Sequence, residues 1–185
     1  MKNKKIIGVM TALMMFLSFP FHVSAGVQTG GFTTGKLSYR VEYDGNFASV
    51  STIQSYVQKW NGISSKVALT YTTSYASSQI AVIYMTYTNS NPNVLGITHY
   101  YYNGSEVNNA ATRNGAVCYI YKGTHTSPNT SAAKTVAYAT CVHEVGHALS
   151  LSHSDSSKDV MYSANISVTT PSSSDKSYLK SKWGN

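Results

Sequence analysis

His143-Glu144-Val145-Gly146-His147-Ala148-Leu149-Ser150-Leu151-Ser152-His153 carries three histidines, the first followed directly by a glutamate. His143 and His147 are four apart, so on a helix of about 3.6 residues per turn they share a face, roughly 40° from one another. Imidazoles so placed can take adjacent corners of one tetrahedral zinc. Glu144 lies roughly 100° further round, off the axis of a natural ligand but able to reach a water on the metal's open side and take its proton. His153 joins only if the helix ends, because six more helical residues would carry it about 9 Å along the axis and point it away. The stretch therefore predicts a helix that stops near Leu149 or Ser150 and a chain that turns back.

A bare His-Glu-x-x-His arises by accident, and a single buried histidine is usually a satisfied core group. Here a third histidine follows at a set spacing, and Met161 comes eight residues later in Asp159-Val160-Met161-Tyr162. That many positions together point to a metal site.

Met1 to Ala25 reads as a secretory signal peptide. Lys2, Lys4 and Lys5 form a positive head, Ile6 to Phe21 an apolar body, and Val23-Ser24-Ala25 a cleavage site. The body is short for a membrane span, and Pro20 and His22 break its end. Removing residues 1–25 from a chain of 185 leaves 160, enough for one domain, 26–185, with a core of its own. The formal charge of +7 loses those three lysines, leaving a mildly basic domain with no basic run, which argues against nucleic acid. Charged residues make up 11% and tyrosines number fifteen, so the surface is expected to be coated with Ser, Thr, Asn and Tyr. Export favours a disulfide between the two cysteines, Cys118 and Cys141; the alternative is two buried free thiols.

Along the mature chain, Gly26 to Gly35 is a Gly/Thr-rich start, extended or loose. Strands are expected over Lys36–Val41, Lys66–Thr72, Gln79–Thr86, Val94–Tyr102 and Ala116–Tyr121 from alternation and from Ile/Val/Tyr content. A helix is expected from Ser49 to Asn61, with Val50, Ile53, Tyr56, Val57 and Trp60 on one stripe and Asn61-Gly62 at its end. A second helix runs from Thr130 or Ser131 to Leu149. On it Val136, Thr140, His143 and His147 face the metal, while Tyr138, Cys141, Val145 and Ala148 pack the body. The tail from Pro171 to Gly184 carries a third helix.

These residues resemble the metzincin signature H-E-x-x-H-x-x-G-x-x-H with its methionine turn, and are most similar to the matrixin branch. The resemblance implies an α+β, zincin-like fold: a twisted five-stranded mixed sheet with three helices and a metal cleft. It implies one catalytic zinc on His143, His147 and His153, with Glu144 as general base and Met161 as the hydrophobic floor beneath the metal. It matches Asp175 to the aspartate that hydrogen-bonds the methionine turn; by itself Asp175 would read as an N-terminal helix charge. Val94–Tyr102 corresponds to the sheet edge along the cleft, where an extended peptide pairs by main-chain hydrogen bonds. No His-x-Asp precedes the active helix, and His99 and His125 stand alone, so no second zinc is expected. The seven carboxylates are scattered and leave calcium open. The family's latency device needs an upstream cysteine, and none precedes Cys118.

The chain departs from the family at several positions, among them Ser174, where the family has the first aspartate of an Asp-Asp pair. Ser150 stands where the family has a glycine with positive φ, at a cost of roughly 1 kcal/mol if the turn is kept; Ser150→Gly would then stabilise by about 0.5–1 kcal/mol. After Met161 the family's Tyr-Pro-x-Tyr is Tyr162-Ser163-Ala164-Asn165, so the specificity pocket is altered. The resulting expectation is a secreted, monomeric zinc metalloendopeptidase acting on protein or peptide, free of the membrane once the leader is cleaved. The alternatives are a zinc-bearing binding module or adhesin without turnover, and a hydrolase of cell-wall peptide crosslinks.

Overall fold

The computed structural model describes residues 26–43, 48–85, 94–121, 130–165 and 167–185. The expected leader, the loop at 89–93 and His125 lie outside the described residues. The strands are β1 (Gly35–Tyr43), β2 (Val67–Tyr71), β3 (Ile80–Met85), β4 (Gly96–Tyr102), β5 (Ser105–Val107) and β6 (Gly115–Tyr121). They form one mixed sheet in the order β2-β1-β3-β6-β4-β5. The first four of that order pair in parallel, whereas β4 runs antiparallel to β6 and β5 antiparallel to β4.

The helices are α1 (Val50–Val57), α2 (Ser131–Ala148) and α3 (Ser173–Trp183). Ser49 caps α1 by accepting from Thr52 N–H, and a single 3-10 turn, Gln58–Trp60, completes the expected stripe. Ile53, Val57 and Trp60 on that stripe are fully buried. Gly62, with φ 76°, closes the segment, a conformation glycine adopts without steric cost. Thr130 caps α2 through Ala133 N–H, and α3 opens with a reciprocal capping box between Ser172 and Asp175. α2 lies across β4 and β6, with α1 packed beside it.

Four sequence expectations change. The sheet has six strands, not five, because Asn103 (φ 51°) and Gly104 (φ 82°) reverse the chain into β5. β5 pairs only with Tyr100–Tyr102, so along the Gly96–His99 half no strand pairs with the outer edge of β4 among the described residues. The two-sided reading of α2, metal on one side and body on the other, is extended over its second half, where every residue from Ala139 to Gly146 is buried. The sheet takes one side, Trp60 and Met161 crowd another, and the helix is enclosed. The Gly/Thr-rich start is tied down: Val27 bridges Leu151, Ser152 N–H donates to Gly26 O (2.9 Å), and Lys182 Nζ donates to Gln28 O and Gly30 O, both at 2.8 Å.

The disulfide is the fourth. Cys118 and Cys141 are both free and buried. Cys118 sits opposite Thr98 in the β4/β6 register, and its Sγ lies 3.5 Å from the Glu144 carbonyl oxygen. That is a turn of α2 beyond Cys141, whose thiol lies instead beside Tyr84. Burial pushes the Cys118 thiol up, and pushes Cys141 up to about 12. Both are therefore held as thiols and kept from reagents. Two alkylatable thiols are expected per chain in unreduced, denatured protein, and none reacting readily in the native state; mass spectrometry after alkylation with and without denaturant checks both.

Candidate metal centre and active site

His143 and His147 stand on the enclosed half of α2. Leu149 ends the helix, and Ser150 turns the chain with φ 70°, the left-handed conformation expected of the glycine it replaces. Ser150 N–H donates to His147 O (2.9 Å) and Leu151 N–H to Gly146 O (3.0 Å), closing the last turn. The chain then doubles back, Ser154 N–H donating to Met161 O (2.8 Å), and His153 arrives beside the two helical imidazoles.

The three rings form a near-equilateral triangle, with centroids 4.7, 4.8 and 5.2 Å apart. One nitrogen from each lies within 4.8 Å of the other two. His147 Nε2 and His153 Nε2 are 3.2 Å apart. Two nitrogens bound to zinc at about 2.0–2.1 Å and the tetrahedral angle stand roughly 3.3 Å apart, so the donor set fits zinc. The far nitrogens are committed: His143 Nδ1 lies 2.8 Å from Val160 O, and His147 Nδ1 2.8 Å from Leu151 O. A carbonyl only accepts, so each Nδ1 carries the proton and each Nε2 offers its lone pair.

Glu144 is 5% exposed. Thr98 on β4 lies with its Oγ1 2.7 Å from Glu144 Oε2 and 3.0 Å from the Glu144 carbonyl oxygen. A β-carbon built on Gly96 would stand 2.9 Å from Glu144 Oε1 and 2.5 Å from Thr140 Cγ2, so a glycine at that point lets the strand press against the carboxyl. Burial pushes Glu144 up to about 8, against the Thr98 hydrogen bond.

Beneath the metal-binding face, Met161 is fully buried under Gly146, where an added β-carbon would meet its Sδ at 2.3 Å and Trp60 Cζ2 at 2.9 Å. Asp175, also fully buried, accepts from Val160 N–H (2.8 Å), Met161 N–H (3.2 Å) and Ser172 N–H (2.8 Å). It thus holds the turn whose carbonyl orients His143. Asn165, in the stretch that departs from the family, donates through Nδ2 to that same Val160 O (3.0 Å) and to Val168 O (2.8 Å). Neither Asn165, Thr98 nor Gly96 was singled out from the sequence. His99 lies apart from the cluster, paired with Glu106 at 2.6 Å on the exposed hairpin.

The expectation that Ser150→Gly stabilises met its condition on φ but omitted a partner. Ser150 is fully buried, and its Oγ accepts from Arg113 Nη2 at 2.8 Å. Glycine there would relieve backbone strain and leave one of the two N–H groups of the buried Arg113 Nη2 without an acceptor, the other remaining on Gln28 Oε1.

Solved structures of similar fold are myroilysin, in two determinations, and archaemetzincin from Methanopyrus kandleri. The myroilysin structures are 14% and 15% identical, each covering 88% of this chain and 93% and 99% of theirs, with TM-scores of 0.51. Archaemetzincin is 12% identical over 82% of this chain and 97% of its own, with a TM-score of 0.53. The fold is that of the metzincin-type metallopeptidases. The matrixin family model matches residues 31–178, and the chain belongs to the matrixin family, a zinc metallopeptidase. Among curated protein sequences none matches it.

The buried titratable groups set a pH signature for the metal-stripped protein. Burial pushes His143 down from 6.5 to about 4 and pushes His147 well below the usual imidazole range. Between 4.5 and 6.5 the unfolded chain protonates both imidazoles, while the folded chain keeps them neutral and holds Glu144 protonated. The unfolded state then binds more protons, so stability rises with pH. From 6.5 to about 8 only Glu144 differs, and the folded state binds its proton, so stability falls. Urea midpoints in chelator should pass through a maximum near pH 6.5, and a continuous rise through pH 8 would contradict these assignments.

Proposed function

We propose that the protein is an exported zinc endopeptidase in which Glu144 is the general base. The observation that carries this reading is the convergence of three imidazoles, two with their outer nitrogens fixed, beside a buried carboxyl. When bound, zinc supplies Lewis acidity, lowering the pKa of water and polarising a carbonyl. His143, His147 and His153 would hold it. Glu144 takes a proton from the attacking water and returns it to the leaving amine. Thr98 fixes one carboxyl oxygen and leaves the other for that exchange. The outer edge of β4 along Gly96–His99, which pairs with no strand among the described residues, offers its main chain to an extended substrate beside Glu144, and an extended substrate favours endopeptidase action. Export rests on the leader-like residues 1–25.

Glu144→Ala should keep zinc and the fold while losing on the order of 10²–10⁴-fold in peptide cleavage. His147→Ala should lose the metal. Metal content and a mass-spectrometric digest of a peptide library, with and without chelator, check both. A Glu144→Ala protein that keeps zinc and cleaves at the wild-type rate removes Glu144 from the mechanism. A wild type that holds zinc and cleaves no peptide in the library points to the binding-module alternative.

A further inference from the structure

Gln28, 6% exposed, uses both ends of its carboxamide behind the metal site. Its Nε2 donates to Leu151 O (3.1 Å) and to Tyr100 Oη (2.9 Å). Its Oε1 accepts from Arg113 Nη2 at 2.8 Å. A guanidinium only donates, so the amide's orientation is fixed by chemistry. Leu151 O is the carbonyl that holds His147 Nδ1. The same Arg113 Nη2 reaches Ser150 Oγ at 2.8 Å, on the left-handed residue that turns the chain toward His153. Gly31 keeps this space open, since a β-carbon there would stand 2.6 Å from Ser150 Oγ.

Arg113 is an expensive residue to keep in that place. It is 1% exposed, lies with Cζ 3.9 Å from the Tyr100 ring centroid, and among the described residues has no hydrogen-bond partner for Nε or Nη1. Among the described residues no carboxylate pairs with it. A buried cation without a counter-charge weakens a fold, so stability does not account for it. What the guanidinium does is hold two acceptors on either side of the bend between two metal ligands. The same device recurs at the other helical ligand, where Asn165 Nδ2 donates to the Val160 carbonyl that holds His143 Nδ1.

We propose that Arg113 and Gln28 are positioning residues of the metal centre: through Leu151 O they aim His147, and through Ser150 Oγ they set the bend that returns His153. The proposal rests on the zinc reading above. Partners of this kind, one bond removed from the ligands, typically change metal affinity by about 10–100-fold when replaced.

The decisive variant is Gln28→Glu. Its carboxylate still accepts from Arg113, and supplies the missing counter-charge, but it has no N–H for Leu151 O. A merely structural role predicts a change in stability alone, with unchanged zinc affinity. Positioning predicts zinc bound about 10–100-fold more weakly by the folded protein, in competition with a chromophoric chelator, and a shifted visible spectrum of the cobalt form. Ser150→Gly permits the bend, because glycine takes positive φ freely, and removes the hydroxymethyl group whose oxygen accepts from Arg113; it too should weaken zinc by about tenfold or more. It stands in should Gln28→Glu not fold. Leu69→Ala, in the core under β2, should lower stability while leaving zinc affinity within about twofold of wild type. Zinc affinities within twofold of wild type for folded Gln28→Glu and Ser150→Gly would overturn the proposal. Zinc retained by His147→Ala would overturn the ligand assignment instead, so the two failures are distinguishable.

Discussion

A helix can bring two imidazoles to one side, but it cannot aim them. Each ring turns about its own side-chain torsions, and a metal demands that a particular nitrogen face it. In this chain the demand is met from outside α2, by the carbonyls of Val160 and Leu151, each accepting from an imidazole Nδ1 at 2.8 Å. Those carbonyls belong to irregular chain, which has no ladder to hold it. The remaining architecture supplies that rigidity: Asp175 and Asn165 for the Val160 side, and Gln28 with the Val27–Leu151 bridge for the other.

Close packing beneath the site follows from the same demand. Gly146 lies between the two helical ligands, and a glycine inside a helix costs about 1 kcal/mol against alanine. The missing side chain is what admits Met161 and the edge of Trp60 against the helix backbone. Trp60 is anchored in turn by its indole N–H on Val142 O at 2.9 Å, so α1, α2 and the methionine turn are fixed to one another at the level of the ligands. A floor this tight leaves the helix little freedom to shift when a ligand is drawn toward a metal.

Much of this was legible in the sequence because it is local. The spacing of His143, Glu144 and His147 needs only the helical repeat, and the strands show themselves by alternation or by runs of Ile, Val and Tyr. The break at Ser150 was deducible because His153 could not otherwise return. β5 escaped notice because Ser105-Glu106-Val107 is too short to alternate. The disulfide was argued from compartment alone, and compartment says nothing of which turn of α2 faces Cys118. The enclosure of α2 was missed because its residues are small: Ala139, Thr140, Cys141 and Val142 form no stripe, being buried on every side. Gln28, Arg113 and Asn165 were invisible for another reason. Their partners lie far away in the chain or are main-chain atoms, which leave no trace in composition or spacing.

The Lys182 ammonium on α3 clasps the carbonyls of Gln28 and Gly30, although more than 150 positions separate them along the chain. The segment that braces the Leu151 carbonyl is thus held by a residue synthesised after all three histidines. The active helix and all three histidines are synthesised earlier than α3. During that interval the brace has no clasp, and a fragment ending short of α3 would carry the whole ligand motif without the contacts that steady it. Completion of the site is thereby coupled to synthesis of α3.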